Sequence, residues 1–343
     1  MATKPPASDF PRESVLFRLL SAVMGEPRAT YALTTLEIEP QLFRATERIN
    51  RAHLAMALNA VLFVDLLDRV PTAARYVGQQ RQAGEKIVFD HGALRTVDSE
   101  CGDLMPGYGG FARFLDPLGY DVRGVYPLPN LKMTGRAFVH RDFPEAIPQF
   151  FVSELHLDDL PGPAQVACMR VFGNSRDPIT VTEWSALDAL VRDGEVFMTE
   201  AITILKGTVR AFGRQHQMPA LADYETLLQH TPEGAWIATE GNVFNHATTR
   251  VPDVIQLAHR LKAAGYPMKA TVEVSRNNRV RQTAFVADKV RREFRTPDGF
   301  VERMVPGSFY EFISRDIDPA NGTIDLTFDS GNATGIFAVT REQ

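Results

Sequence analysis

Only two of the 343 residues are cysteine, Cys101 and Cys168. That excludes a disulfide framework and a Cys-rich metal motif, so any metal must be held by imidazole and carboxylate groups. A basic excess is also missing: 37 Lys and Arg stand against 42 Asp and Glu, a formal net charge of −5. No stretch interleaves Lys and Arg with aromatics, which argues against a general affinity for nucleic acid or an anionic membrane. The longest apolar run, Leu54 to Leu67, is interrupted by Asn59 and Asp65. It is too short to span a bilayer and reads as a buried helix. The N-terminus, MATKPPASDFPRES, lacks the apolar core of a secretory signal, and with the sparse cysteines this predicts a cytoplasmic protein. Gly107-Tyr108-Gly109-Gly110 lacks the Lys-Ser/Thr of a phosphate loop. Neither an HExxH run nor a Cys-His-Asn pattern occurs.

What is present is an ordinary globular composition, 44% hydrophobic and 23% charged, changing in texture along the chain. Residues 1–80 read as helical: Val15, Leu16, Leu19, Leu20 and Val23 form a stripe before Gly25, and a longer helix is predicted over Pro40 to Asp68. A β-rich module follows over 85–175, a helical insertion over 176–232, with helices at Glu183–Val191 and Leu221–His230, and a second module with C-terminal strands over 233–343. In the second module Ala235–Thr248 is a strand candidate. Pro252 starts an amphipathic helix carrying Val254, Leu257, Ala258 and Leu261, with Gly265 as its stop. Lys269–Ser275 and Val280–Val286 then flank an Arg276-Asn277-Asn278-Arg279 turn, and Phe309–Arg315 is a last strand. The first module opens in the same way, with a strand at Ile87–Val97, a helix at Gly110–Leu118 and a strand at Asp121–Tyr126. Gly119-Tyr120 and Gly265-Tyr266 punctuate the two alike, and both opening strands carry Asp/Asn-His-x-x-x-Arg, at Asp90–Arg95 and Asn245–Arg250. The prediction is an α+β fold. Two βαβββ-type modules form a mixed, partly closed sheet around a metal site, in one catalytic unit over 1–343.

Strand alternation puts Ile87, Phe89, His91, Ala93 and Arg95 on one face, pairs His246 with Phe244, and aligns Phe309, Glu311, Ile313 and Arg315. Gly92 is a place where a bulge would re-aim Arg95. His91, His246 and Glu311 are thus polar groups on apolar faces, costly to bury without a partner. A divalent metal satisfies all three, and two imidazoles with one carboxylate leave positions open, which suits Fe(II). An arginine lies four positions beyond each candidate ligand, and its planar fork suits an acidic substrate. Taken singly, each histidine also fits a hydrogen-bonded core position, and Glu311 fits an edge-strand pair with Arg315. His140 and His156 read as local hydrogen-bonding residues.

Phe89–Thr96, Phe244–His246, Val280–Thr283 and Phe309–Ile313 resemble signatures of the 2-oxoadipate dioxygenase/decarboxylase family, and Ile147–Leu155 also looks familial. That family is similar to the vicinal oxygen chelate, or glyoxalase-like, superfamily. The resemblance implies a non-haem Fe(II) enzyme of lysine catabolism that converts 2-oxoadipate and O₂ to 2-hydroxyglutarate and CO₂. It places the metal on His91, His246 and Glu311 and the substrate carboxylate on Arg95. Gln282 is a candidate orienting partner, and Arg250 a further candidate for substrate contact. Gly331–Phe337 resembles a substrate-side loop, with Asn332 where a small hydroxyl residue is expected. Two other readings stay open: a glyoxalase-like isomerase or lyase, and a small-ligand-binding protein without turnover.

Overall fold

The computed structural model of the chain describes residues 10–331, 335 and 340. Ser14 caps α1 (Val15–Met24), and Gly25, at φ 83°, turns the chain into α2 (Glu26–Thr35). The single helix expected over Pro40–Asp68 is broken. Pro40–Phe43 forms a 3-10 turn, Arg48–Asn50 is a short strand (β1), and α3 (Arg51–Arg69) starts where Asn50 and His53 cap each other reciprocally. Pro71 then opens α4 (Pro71–Gln82).

The first module is β2 (Phe89–Asp98), α5 (Gly109–Leu115), β3 (Tyr120–Leu128), β4 (Met133–His140) and β5 (Gln149–His156). The helical insertion holds α6 (Gly162–Phe172), α7 (Val181–Asp193), β6 (Glu195–Phe197, paired with β1), α8 (Met198–Ala211), α9 (Leu221–His230) and α10 (Pro232–Glu240). The α10 helix overturns the strand expected from Ala235. Pro232 at its first turn, the Thr231 side-chain cap and Gly241 at φ 69° delimit a helix, and the strand begins only at Phe244. The second module is β7 (Phe244–Arg250), α11 (Val254–Ala263), β8 (Glu273–Val274), β9 (Val280–Ala284), β10 (Lys289–Thr296), β11 (Gly299–Pro306) and β12 (Phe309–Arg315). The β10–β11 hairpin is an insertion that the expected β-α-β-β-β order omitted. A short ribbon of β13 (Ile317–Asp318) and β14 (Thr323–Ile324) follows.

Eight strands form one curled mixed sheet in the order β3-β4-β5-β2-β7-β12-β9-β8. In each module the first strand pairs in parallel with the last, β2 with β5 and β7 with β12. The two first strands, β2 and β7, pair antiparallel at the centre. The paired modules predicted from the sequence therefore meet within one chain, and their shared punctuation holds, with Gly119 at φ 93° and Gly265 at φ 76°.

One face of the sheet packs Leu94, Phe150, Phe244, Tyr310 and Phe312 into a core with Phe63 of α3 and Tyr76 of α4. Each such side chain contributes about 1.5–3 kcal/mol on burial. Part of the other face packs Val97, Met133 and Leu155 against α6, α9, α10 and the β10–β11 hairpin. The remainder of that face is free to form a site. Among the described residues no helix is long and apolar enough to cross a membrane.

Two bulges decide which side chains reach the site. Phe89 pairs with Thr249 and His91 with Thr248, so Asp90 is an extra residue in β2. Ala93 pairs with His246 and Leu94 with Phe244, so Asn245 is the extra residue in β7. Each bulge breaks the alternation expected above: Phe89 and Phe244 join the helix-side core, and the histidines do not. Gly92 is not the bulge. A Cβ there would lie 2.1 Å from the Phe244 ring, so the glycine serves close packing behind the site. Gly92→Ala is expected to cost about 1–3 kcal/mol by overpacking, measured by denaturant unfolding. A loss below a few tenths would show that the ring yields freely.

Candidate metal centre

His91 on β2, His246 on β7 and Glu311 on β12 converge, each no more than 6% exposed, with their ligand atoms all within 4.8 Å of one another. The register explains the meeting. Glu311 and His91 both lie opposite Thr248, and Ala93, two residues on from His91, lies opposite His246. Glu311 Oε2 is 2.9 Å from His246 Nε2 and 3.7 Å from His91 Nε2. Thr248 Oγ donates to Glu311 Oε2 at 2.9 Å. Glu311 Oε1 is buried with no hydrogen-bond partner among the described residues.

Each histidine is oriented by its bulged neighbour. His91 Nδ1 is 2.8 Å from Asp90 Oδ1, and Arg315, wholly buried, donates to both Asp90 carboxylate oxygens at 3.0–3.1 Å. His246 Nδ1 is 2.9 Å from the Asn245 side-chain amide, whose Oδ1 has no partner among the described residues. Presenting that oxygen to Nδ1–H would satisfy both groups and leave the Nε2 lone pair free for a cation shared with Glu311. The two devices are equivalent in position but differ in charge.

The electrostatics follow from burial and these pairs. Burial alone would raise the Glu311 carboxyl, but His246 and His91 outweigh it and hold it at about 2. For Asp90, burial is likewise outweighed, by Arg315 and His91, and its carboxyl lies well below the usual range. Burial disfavours a charged His91, yet Asp90 and Glu311 together raise its pKa. For His246 burial prevails over Glu311 and the pKa is lowered. The triad thus sets one carboxylate between an imidazole whose pKa is raised and one whose pKa is lowered.

A pocket opens on the triad. Its walls are Ala93 and Phe151 on one side, Gln282 on another, and Phe328 and Asp329 from the segment after β14. Phe328 stands edge-on to His91 with centroids 4.8 Å apart and lies the same distance from Phe151. Arg315 fixes this segment as well, donating to the carbonyls of Asp325 and Thr327.

The other expected site residues are placed unequally. Gln282 lines the pocket. Arg95 is 1% exposed on the same strand face as His91 but is not among the lining residues. Its guanidinium lies over Trp236 and donates to Thr340 Oγ. Arg250 is the last residue of β7. It points away from the pocket, donating to the Glu145 carbonyl, with Nε 3.9 Å from Asp90. Asn332 lies outside the described residues. Sequence reasoning missed the roles of Asp90, Thr248, Ser153, Phe151 and Phe328. Of these only Asp90 left a signal, in the repeated Asp/Asn-His pair.

A second group, Asp98, Glu154 and His156, also brings possible ligands together. Its members already have protein partners. Glu154 pairs with Arg136 and accepts from Tyr108 N, and His156 lies between Asp98 and Thr134.

A curled sheet of two βαβββ modules with a His-His-Glu cluster at their seam is the architecture of glyoxalase-like proteins. Within that class the chain belongs to the 2-oxoadipate dioxygenase/decarboxylase family, whose model matches residues 52–321. A solved glyoxalase superfamily protein from Ralstonia eutropha JMP134 is 50% identical, with a TM-score of 0.88 over 92% of this chain and 98% of that one. Hydroxyglutarate synthase from Oryza sativa, solved with 2-oxoadipate, is 20% identical, with a TM-score of 0.66 over 85% of this chain and 93% of that one. The Pseudomonas putida hydroxyglutarate synthase, also solved with 2-oxoadipate, is 19% identical, with a TM-score of 0.60 over 86% and 74%. The likeness to the two synthases is one of fold. No curated protein sequence matches the chain.

Proposed function

We propose that the protein is a non-haem Fe(II) dioxygenase/decarboxylase acting on a 2-oxo dicarboxylic acid, with 2-oxoadipate the first candidate and 2-hydroxyglutarate and CO₂ the products. The observation that carries this reading is the convergence of His91 Nε2, His246 Nε2 and a Glu311 carboxylate whose Oε1 has no hydrogen-bond partner among the described residues. A buried anion with an unsatisfied oxygen beside two imidazole nitrogens fits a divalent cation, and the donor set suits Fe(II). Family membership and the 2-oxoadipate held by two neighbours of the same fold support the substrate class.

When bound, the metal supplies orientation of the 2-oxo acid and activation of O₂. The chain does the rest. Asp90 and Asn245 hold the two imidazoles in the orientation that turns Nε2 inward. Thr248 fixes the Glu311 carboxylate. Phe328 and Phe151 cover the triad and exclude bulk water. Gln282 offers an amide to the bound acid, and Arg95 provides the cation for its carboxylate. The overall reaction balances, since one 2-oxoadipate and one O₂ contain the atoms of one 2-hydroxyglutarate and one CO₂.

The test is oxygen uptake by the Fe(II)-loaded protein across a panel of 2-oxo acids. The expected result is O₂ consumed and CO₂ released in equal amounts, with 2-oxoadipate among the best substrates. Turnover that continues without O₂ would replace this reading with a glyoxalase-like isomerase or lyase. Stoichiometric binding without turnover would make the chain a ligand-binding protein.

A further inference from the structure

Ser153 sits on β5, 1% exposed, and lines the pocket beside Phe151. Its side chain forms part of the pocket wall, so its hydroxyl is within reach of a molecule bound there. In the β2–β5 register Ser153 lies directly opposite Arg95, and Phe151 lies opposite Ala93. Its other neighbour, on β4, is Gly135, where a Cβ would meet the Phe151 ring at 2.4 Å. The ring thus leans over the glycine and bounds the space next to Ser153.

Charge gives this end of the pocket a direction. Beyond the triad on the opposite side lie Gln282 and the acidic Asp329, which accepts the backbone N–H groups of Arg276 and Gly331. The Ser153 end has the Arg95 cation, on the same strand face as His91 and directly across the β2–β5 pair from Ser153. An acid bound at the triad with a second carboxylate therefore lies more favourably with that group towards Ser153 than towards Asp329.

We infer that Ser153 is a specificity-determining residue: its hydroxyl donates to the far carboxylate of a dicarboxylic 2-oxo acid, beside Arg95, across the apolar floor of Ala93 and Phe151. This rests on the reading of the pocket as a 2-oxo acid site. It adds a residue that selects acids carrying a second charge over those ending in a methyl group. A hydrogen bond to a charged group at this position corresponds to about a tenfold change in affinity.

The experiment compares wild type, Ser153→Ala and Ser153→Thr with 2-oxoadipate and the six-carbon monocarboxylate 2-oxohexanoate. Binding to Fe(II)-loaded protein is measured by calorimetry without O₂, and kinetics with O₂. For Ser153→Ala the expected result is a Kd and KM for 2-oxoadipate raised about tenfold, kcat within about twofold, and unchanged values for 2-oxohexanoate. Ser153→Thr, which keeps the hydroxyl, is expected to recover the 2-oxoadipate values. Equal effects of Ser153→Ala on both acids, or no effect on either, would overturn the assignment. So would a wild-type protein that binds both acids alike. If wild type turns over neither acid but binds the dicarboxylate preferentially through Ser153, the dioxygenase reading fails and this one stands.

Discussion

Glu311→Ala is expected to abolish stoichiometric metal binding and all metal-dependent turnover while leaving the chain folded. The carboxylate is the only anionic member of the triad, and it touches both imidazoles. Without it two neutral nitrogens remain, and affinity for a divalent cation should fall by more than about a hundredfold, beyond the 10–100-fold typical of losing an outer partner. Its effect on the metal-free fold is expected to be moderate. Removing Glu311 relieves the desolvation of a buried carboxylate but also takes away the imidazole contacts that outweigh it. Metal-free Glu311→Ala should unfold within about 3 kcal/mol of wild type and stay cooperative. Metal content after dialysis and denaturant melts of the metal-free proteins check the two halves separately. Full metal occupancy would remove Glu311 from the site, and a collapsed fold would recast it as a structural residue.

The second large effect is expected at Arg315. Its side chain is fully buried and donates to both oxygens of Asp90. It also donates to the carbonyls of Asp325 and Thr327 and lies over the Phe328 ring at 4.9 Å. Arg315→Met leaves the Asp90 carboxylate buried without its guanidinium, which costs about 3–5 kcal/mol. It also releases the segment that carries Phe328 over His91. Adding Asp90→Asn removes the stranded charge, so the double variant should recover a large part of the loss. A single-variant loss under about 1 kcal/mol, or double-variant losses that merely add, would show that the pair is not coupled as described.

The sequence made the triad legible because strands at a sheet's centre are apolar, and His91, His246 and Glu311 interrupt that apolarity. The repeated Asp/Asn-His pair and the paired Gly-Tyr stops made the module duplication legible too. What alternation alone could not reveal was the extra residue in each opening strand. A bulge changes the facing of one part of a strand relative to the next, so Phe89 and Phe244, which alternation places on the histidines' side, pack behind it. The Ala235–Glu240 run is equally apolar as helix or strand, and only Thr231, Pro232 and Gly241 separate the two. The β10–β11 hairpin has charged residues on both strands and a weak apolar alternation, but Pro297-Asp298 at its turn, followed by Gly299, is a readable signal. Ser153 and Phe328 left no local trace, since their part in the site comes from strands and segments brought together by the fold.

The most direct test of the account is an anomalous-scattering map from a crystal of the protein loaded with Fe(II) under anaerobic conditions. One strong peak per chain is expected, within bonding distance of His91 Nε2, His246 Nε2 and a Glu311 carboxylate oxygen. A peak at Asp98, Glu154 and His156 instead, or no peak within bonding distance of all three triad residues, would contradict it.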